Sequence, residues 1–432
     1  MKSIFVAIFF LTSIGALHLF GQQVTHNSFC GHENVIHYNE KLYPGYSDFV
    51  KRTFYEAHQL ITKSSNSRNK IFTIPVVVHV VWKTDSENLH DSIIESQLNV
   101  LNESFRLQNT DRDSLRSIFK EIQADAGIEF RLEEVIRVKT SSNFSLSLTG
   151  LPDKVKQSAQ GGSDAKDPDR NLNIWVCRIQ PIPIIGGQIL GYAYPPVGLA
   201  NWPTGSSSPS KSLEGVVIDF RVFGKNNPNI MTVNNQKYNT TGKTTVHEIG
   251  HYLGLRHIWG DGGGLFGGNS CNEDDGITDT PNQGAQTGGG CDKTANTCID
   301  SNGNDLPDMI ENYMDYSAES CQNTFTREQI DLMRSVLQNQ RSQLVNTEEQ
   351  LTLSRHFKIF PNPASTFFSI ESTQGNFMDK ITITNQFGIL LASFKSISNQ
   401  EMEIKHLASG LYFVNIYTLG KVVTHKILKV DE

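Results

Sequence analysis

The chain has 432 residues, of which 38% are hydrophobic and 19% are charged. These are ordinary values for globular proteins, and they exclude a wholly disordered or collagen-like chain. Its 38 lysines and arginines are outnumbered by 45 aspartates and glutamates, so the net charge is −7. A mildly acidic protein lacks the positive surface that binds nucleic acid or anionic membranes, so neither is expected as a partner.

The N-terminal segment is typical of a secretory signal peptide. Lys2 precedes an apolar run at 4–20, and the small residue Gly21 follows it. A membrane anchor is the alternative, but a span needs about 18 consecutive apolar residues and this run is interrupted. We therefore expect residues 1–21 to be removed on export, and no later segment is long enough to cross a bilayer.

Residues 22–70 are polar and mixed in composition. They end in KSSNSRNK at 63–70, which is typical of an exposed and cleavable linker. We predict a propeptide over 22–70, with Arg68 as the best single site of processing.

From residue 71 onward, strand patterns alternate with helical ones, which predicts an α/β layered domain. Strands of the buried type are predicted at 74–82, 128–132, 172–176 and 216–220. Apolar residues at helical spacing predict a helix through Ile94, Leu98, Leu101 and Phe105. Another helix is predicted to begin at Thr326. Residues 260–308 are rich in Gly, Asn, Asp and Thr and predict a long loop region.

The composition changes again after about residue 357. Short alternating apolar segments at 367–370, 381–384, 411–417 and 422–428 follow a PNPAS turn. Short strands separated by turn signals predict a small all-β sandwich over 357–432.

Four of the six cysteines fall in or just after the loop region: Cys271, Cys291, Cys298 and Cys321. In an exported protein that density indicates disulfides, and four cysteines allow three pairings. A zinc site built from all four thiolates is the alternative. It is disfavoured because no two of these cysteines are separated by only two residues.

The motif HEIGHYLGLRH at 247–257 indicates a metal site. His247 and His251 are four residues apart, so on a helix both imidazoles lie on one face and can bind one ion. Gly254 lets the helix end in a left-handed conformation, so that His257 can return as a third ligand. Three imidazoles with an open fourth position suit a catalytic zinc, and Glu248 can reach a zinc-bound water.

A bare HExxH pattern is weak evidence, because it arises by chance in chains of this length. The added Gly254 and His257 make the pattern far more specific. A surface helix with solvated histidines is the alternative, and it leaves that second spacing unexplained. The segment NYMDY at 312–316 adds a methionine in a tight turn, which alone is more often core filler.

The HExxHxxGxxH motif followed by a methionine turn resembles the metzincin pattern. Three neighbouring segments are similar to the pappalysin family in particular: WGD at 259–261, DDGITDTP at 274–281, and NYMDYS at 312–317. The resemblance covers roughly residues 71–345. It implies a secreted zinc endopeptidase with a mixed twisted sheet, a long active-site helix and a lower loop-rich subdomain.

The resemblance also assigns roles to single residues. It makes His247, His251 and His257 zinc ligands and Glu248 the general base. Met314 becomes the Met-turn residue, and Tyr316 points toward the reacting carbonyl.

The same resemblance assigns the loop region. It implies the disulfides Cys271–Cys298 and Cys291–Cys321. It also implies a structural Ca²⁺ ion, for which the oxygen donors are Asp274, Asp275, Asp279 and the Thr280 carbonyl. Relatives that prefer a basic residue after the scissile bond carry an acid immediately before the last cysteine. This chain departs from that pattern, with Ser320 there and Glu319 beside it.

Cys30 lies in the predicted propeptide and is a candidate cysteine switch, because a thiolate can take the open zinc position. The alternative is a disulfide with Cys177, which ends an apolar strand pattern and is suited to burial.

Three C-terminal segments resemble the sorting domain of proteins exported by the type IX secretion system: FKIFPNPAS at 357–365, SGLYFVNI at 409–416 and KVVTHKILKV at 421–430. The resemblance implies passage across the outer membrane, with the secretion machinery as a partner and an extracellular or cell-surface location. A carbohydrate-binding or adhesive sandwich is the alternative, and the segment is poor in aromatic residues that stack on sugars.

The leading hypothesis is therefore a secreted zinc endopeptidase, made as a latent zymogen, that cleaves proteins or peptides. The runner-up is a catalytically inactive surface binding protein on a metzincin scaffold. The intact Glu248 argues against it, since an inactive scaffold has no need of the base. A cytosolic zinc aminopeptidase is contradicted by the signal peptide and the cysteines.

Overall fold

The computed structural model describes residues 70–145, 151–181, 188–196, 208, 210–233, 236–238, 240–260, 271–272, 274–299, 305–345, 353–373, 378–385, 390–397, 401–418 and 421–431. The expected signal peptide, Cys30 and the expected propeptide up to residue 69 lie outside these residues. Within them, no helix has the length and apolar character needed to cross a membrane.

The described residues of the first part of the chain form these strands: β1 (Phe72–Trp82), β2 (Ile128–Lys139), β3 (Phe144–Ser145), β4 (Leu172–Cys177), β5 (Ile179–Gln180), β6 (Gly191–Ala193), β7 (Val216–Asp219), β8 (Thr232–Val233) and β9 (Gln236–Lys237). Five of them form one mixed sheet in the order β2-β1-β4-β7-β6. The first four run parallel, and β6 pairs antiparallel with β7 at the edge. Strands β4 and β7 are buried along their whole length, as expected for the centre of a layered α/β domain.

Within the described ranges, three α-helices accompany the sheet: α1 (Asp91–Phe105), α2 (Lys243–Tyr252) and α3 (Arg327–Gln338). The predicted stripe of α1 is confirmed, since Ile94, Leu101 and Phe105 are fully buried. The main hydrophobic core joins apolar side chains of these helices to one face of the sheet. A second cluster, around Trp175 and Tyr192, packs against residues such as Val155 of the segment that follows β3. The α/β class is therefore confirmed.

Strand β2 is longer than the sequence pattern indicates. The pattern predicts a strand over 128–132, but β2 continues to Lys139. A register shift between Val76 and Val77 of β1 pairs them with Leu132 and Glu134. This bulge changes which face the later residues occupy, so the simple alternation ends although the pairing continues.

Short 3₁₀ turns connect these elements: Asp85–Glu87, Arg112–Ser114, Ser117–Phe119, Asp153–Lys156, Ser158–Gln160, Lys211–Leu213, Phe220–Val222 and Ser342–Val345. One of them ends β7 at Asp219, one residue earlier than predicted. The Asp219 carboxylate accepts a hydrogen bond from the Arg221 amide and caps the turn that begins at Phe220.

The described part of 260–308 contains neither helix nor strand, as predicted. Helix α3 then begins at the predicted cap. The Thr326 hydroxyl accepts from the Gln329 amide, and the Gln329 side chain accepts from the Thr326 amide. This is a reciprocal capping box.

The described residues of 357–432 form strands and no helix, as predicted. The strands are β10 (Phe357–Phe360), β11 (Phe367–Ser372), β12 (Met378–Asn385), β13 (Leu390–Ile397), β14 (Glu401–Glu403), β15 (Gly410–Thr418) and β16 (Lys421–Lys429). They form a three-stranded sheet, β10-β11-β14, and a four-stranded sheet, β13-β12-β15-β16. Both sheets contribute to one apolar core that includes Phe368, Ile383 and Val414.

Candidate metal centre and active site

Helix α2 ends where the sequence predicts. Gly254 has a φ of 99°, in the left-handed region that favours glycine. The Leu255 amide donates to the Gly250 carbonyl and the Gly254 amide to the His251 carbonyl, both at 2.9 Å. These two bonds form a Schellman motif. The chain reverses there, which brings His257 back toward the helix.

Three imidazoles converge beside this turn. The Nε2 atom of His251 lies 3.1 Å from Nε2 of His247 and 3.1 Å from Nε2 of His257. One ligand atom from each of the three buried rings lies within 4.8 Å of the others. Among the described residues, no other group of three or more His, Cys, Asp or Glu side chains converges in this way.

Two of these rings are oriented by main-chain carbonyls. Nδ1 of His247 lies 2.7 Å from the Tyr313 carbonyl oxygen, and Nδ1 of His251 lies 2.8 Å from that of Leu255. A carbonyl can only accept, so each Nδ1 carries the proton and each Nε2 keeps a lone pair. The tautomers therefore leave both Nε2 atoms able to bind a metal.

The third ring is held between aromatic side chains. His257 stacks on Trp259, with ring centroids 4.3 Å apart and planes inclined by 7°. The Tyr316 ring lies edge-on to both, 4.8 Å from His257 and 4.7 Å from Trp259. Trp259 is 3% exposed. This packing fixes the plane of the third imidazole and brings Tyr316 next to it.

Glu248 is fully buried next to strand β6. A Cβ atom at Gly191 of β6 would lie 2.8 Å from Cγ of Glu248, so a larger residue there would displace the glutamate. The backbone of the edge strand β6 therefore packs directly against the Glu248 side chain. The sequence analysis missed Gly191, because a three-residue strand carries no detectable pattern.

Met314 lies against the middle of α2. A Cβ at Gly250 would approach the Met314 sulfur to 2.4 Å, so the helix needs glycine at this position. Glycine inside a helix costs about 1 kcal/mol relative to alanine, so a glycine in the middle of the HExxH helix is a sequence signal that could have indicated this close approach. The turn is held by Asn312, whose Oδ1 accepts from the Met314 amide at 2.9 Å and whose Nδ2 donates to Gln329 of α3.

Asp315, between Met314 and Tyr316, holds the loop at 283–289 against the methionine turn. The Asp315 carboxylate is buried and accepts from the Gln283 side chain at 3.0 Å and from Thr287. Burial raises the pKa of Asp315. The Gly289 amide donates to the Tyr316 carbonyl at 2.7 Å. Residues 283–289 therefore lie along the turn that carries Tyr316.

The carboxylates expected to bind calcium, Asp274, Asp275 and Asp279, do not bring their oxygen atoms together in the way that the three imidazoles bring their nitrogens together. Oδ1 of Asp275 accepts from the Ile277 amide and the Thr280 hydroxyl, both at 2.9 Å. Oδ2 of Asp279 accepts from the Glu328 amide at the start of α3. Burial, with Asp274 nearby, raises the pKa of Asp275 well above its usual range, and burial raises that of Asp279 to about 6.

The four loop cysteines form two disulfides. Cys271 pairs with Cys298 and Cys291 with Cys321, with Cα–Cα distances of 5.5 and 6.0 Å. This is the pairing that the family resemblance implies, and it excludes a zinc site built from the four thiolates. Cys177 is fully buried and forms no disulfide within the described residues.

Comparison with known proteins places this geometry in a family. A family profile described as pregnancy-associated plasma protein-A (peptidase M43) matches residues 198–338. The structure of mature Tannerella forsythia mirolysin in complex with a cleaved peptide is 36% identical to the chain, with a TM-score of 0.53. The match covers 66% of this chain and 98% of that one. The chain belongs to the pappalysin family.

Other comparisons extend the pappalysin assignment. A mutant of T. forsythia promirolysin is 33% identical, with a TM-score of 0.58, and the match covers 73% of this chain and 97% of that one. The extracellular metalloprotease of Arthroderma otae is 29% identical over 257 residues, which is 60% of this chain and 74% of that protein. A profile for the secretion system C-terminal sorting domain matches residues 358–430.

The expected metzincin-like fold, followed by a small β-sandwich, is therefore confirmed. The protein is a metalloendopeptidase with a C-terminal type IX sorting domain. It is secreted or displayed at the cell surface.

Proposed function

We propose that this pappalysin is a zinc endopeptidase in which His247, His251 and His257 hold the metal. The convergence of three buried imidazole nitrogens carries the proposal. Nitrogen donors suit zinc, and the carbonyls bonded to two Nδ1 atoms orient the rings as metal sites require. Zinc bound there supplies a water of pKa about 7 and polarises the scissile carbonyl.

Glu248 is the general base of this proposal. It follows the proposed ligand His247 on α2 and is fully buried against Gly191 of β6. Its carboxylate takes the proton of the attacking water and later delivers it to the leaving amine. A positioned base of this kind contributes roughly 10²–10⁴-fold to the rate.

The Tyr316 hydroxyl donates a hydrogen bond to the carbonyl oxygen of the scissile bond, and this bond strengthens as negative charge develops on that oxygen. The support is its ring, 4.8 Å from that of His257 and 5.7 Å from that of His247. Met314 packs against the helix of the proposed zinc site, since its sulfur lies against Gly250, which stands between His247 and His251 in the sequence. Tyr316→Phe should lower kcat more than it raises KM.

Strand β6 positions the substrate chain. It is the last strand of the mixed sheet, and Gly191 brings its backbone close to Glu248. An extended peptide that adds to this edge gains main-chain hydrogen bonds regardless of its sequence. The substrates are therefore proteins or peptides that can present an extended segment.

A structural calcium ion is proposed near the start of α3, with Asp274, Asp275, Asp279 and the Thr280 carbonyl as donors. The support is two buried carboxylate oxygens without a hydrogen-bond donor, Oδ2 of Asp275 and Oδ1 of Asp279. A cation would offset the cost of burying these charges. Added calcium should raise the Tm of the chelator-treated protein, and Asp275→Asn should abolish that rise.

Latency is proposed to come from the propeptide at 22–70, with Cys30 as a cysteine switch or as the partner of Cys177. The precedent is promirolysin, whose match covers more of this chain than that of the mature form. Cys30→Ala should speed autoactivation of the zymogen if the thiolate blocks the zinc, whereas unchanged latency would contradict the switch.

Export is proposed to use the signal peptide at 1–21 and recognition of the 357–432 domain by the type IX machinery. The match of the sorting profile to 358–430 supports the second step. Deletion of 358–432 should leave the enzyme in the periplasm, and normal secretion of the truncated chain would contradict a sorting role.

The central test uses the purified full-length chain. We expect about one zinc per chain, casein cleavage that a chelator stops, and recovery when zinc is returned. Glu248→Ala should bind zinc as the wild type does but cleave no casein. Wild-type cleavage by that variant would remove the assignment of the base. A wild-type protein without zinc or without cleavage would favour the alternative of an inactive binding protein.

A further inference from the structure

The N-terminus of α2 is capped from a distant segment. Gly242 precedes the helix with a φ of 84° and has no side chain to serve as a cap. Glu319 takes that role. Its Oε1 accepts from the amide and hydroxyl of Thr244 at 2.8 and 2.6 Å, and its Oε2 accepts from the amide and hydroxyl of Thr241. The first turn of the helix is therefore bonded to the loop-rich half of the domain.

The contact is reciprocal. The Lys243 ammonium, on the first residue of α2, donates to the Glu319 carbonyl at 2.8 Å and also pairs with Asp111. Lys243 is 6% exposed and Glu319 9% exposed, so water screens this cluster weakly. A carboxylate at a helix N-terminus is also favoured by the helix macrodipole.

The C-terminal end of α2 is held by a positively charged residue, Arg341. Nε of Arg341 donates to the Tyr252 carbonyl at 3.0 Å, and its guanidinium stacks 3.6 Å from the centre of the Tyr252 ring. Arg341 forms a buried ion pair with Glu214. Both ends of the helix are thus held by charged side chains, Glu319 and Arg341, that come after the methionine turn.

Glu319 has a particular place in the chain. It follows Tyr316 by three residues and precedes the disulfide-bonded Cys321 by two. Thr244, which it binds, lies three residues before His247 and four before Glu248, which is about one helical turn in both cases. The Glu319 carboxylate therefore connects the turn of Tyr316 directly to the helix that carries the proposed ligands and base.

We propose that Glu319 is a positioning residue that fixes α2 relative to the Tyr316 turn, so that zinc affinity and kcat depend on its carboxylate. This inference rests on the proposed function of His247, His251 and Glu248. Within the described part of the chain, the carboxylate accepts its hydrogen bonds from Thr241 and Thr244, at the start of α2.

The test compares Glu319→Ala and Glu319→Gln in the full chain. Loss of a charged cap corresponds to roughly a tenfold effect. We therefore expect Glu319→Ala to raise the zinc Kd, measured by competition with a chromogenic chelator, about tenfold. It should lower kcat by a similar factor and change KM less than about twofold. Glu319→Gln keeps an acceptor but not the charge, and should give intermediate values.

His90→Ala is the matched control. His90 accepts from the Ser92 amide at the start of α1, so this variant also removes a side-chain helix cap, but on a helix without proposed ligands. It should lower Tm while leaving the zinc Kd and kcat unchanged. The inference is overturned if the Glu319 variants show the same pattern as this control. If Glu319→Ala does not fold, the Gln variant decides by the same criteria.

The wild type is measured in the same series. A wild-type chain that binds no zinc overturns the proposed function and this inference together. Normal zinc binding and normal chelator sensitivity in the wild type, with unaffected Glu319 variants, overturn only the positioning role.

Discussion

Two halves of the protease domain meet at the proposed active site, and they are stabilised in different ways. The half before residue 261 is built from a sheet and helices, and its central strands β4 and β7 are wholly buried. The described part of 271–326 has no helix or strand element. It is held by two disulfides and by buried polar side chains such as Asp315.

The difference shows that residues of one site can be held in place by two kinds of interaction, apolar packing in one half and disulfides with polar hydrogen bonds in the other. The regular half contributes the three histidines and Glu248, whereas the loop half contributes Met314 and Tyr316. Apolar burial fixes the first set, because helix and sheet present continuous apolar faces. Covalent links and charged hydrogen bonds fix the second set, so each half should respond to a different kind of damage.

The largest effect is expected in the core of the regular half. Ile174→Ala in β4 removes a side chain that is fully buried, and should lower the free energy of unfolding by about 2–5 kcal/mol. Urea denaturation measures it. Ile71→Ala is the control, because Ile71 is 48% exposed and should change stability little. Equal effects of the two substitutions would show that burial does not stabilise this half.

The next effect is expected in the loop half. Replacing both Cys271 and Cys298 by serine opens a link across 27 positions of sequence. The chain-entropy argument gives a loss of about 3–4 kcal/mol, and reductant should no longer lower the Tm through this bond. Cys177→Ala is the control, since Cys177 forms no disulfide within the described residues and this variant should keep the Cys271–Cys298 link that reductant breaks. If reductant left the Tm of the wild type unchanged, the disulfides would not contribute to the stability of this half.

A smaller effect is expected where the halves join, at the start of α3. Thr326→Ala removes one side of the capping box and should cost about 1 kcal/mol. Thr326→Ser keeps a hydroxyl and should recover most of that loss in thermal denaturation. If the serine variant were as unstable as the alanine variant, the hydroxyl cap would not be the cause.

The smallest effect is a pH dependence of the regular half. His79 is fully buried, with its ring nitrogens 2.8 Å from the side chains of Ser163 and Asn173, and burial lowers its pKa. The unfolded chain takes up a proton near pH 6.5, whereas the folded chain does so only at lower pH. Acidification below that value therefore favours unfolding.

His79→Gln should flatten this pH dependence, and urea denaturation at pH 7.5 and pH 6 measures the change. Glu134 and Asp164 raise the pKa of His79 while Lys166 lowers it, so these charges are kept in both proteins. An equal slope in the variant and the wild type would assign the acid sensitivity to other groups.

Much of the regular half was predictable from local patterns. The stripe of α1 and the strands β1 and β4 were each predicted within a few residues, and so, outside this half, was the cap at Thr326. The short edge strand β6 was missed, and β2 was predicted too short because its bulge interrupts the alternation. In the loop half, the composition indicated irregular structure but none of the individual contacts.

The sequence by itself determined the parts of the site that depend on neighbours along the chain. Helical spacing places His247 and His251 on one face, and the free φ of Gly254 permits the turn that returns His257. The tertiary structure decided what meets them: Gly191 beside Glu248, and Glu319 on the first turn of α2. These contacts join residues more than fifty positions apart, and their geometry depends on how the sheet, helix and loop pack, which no local pattern encodes.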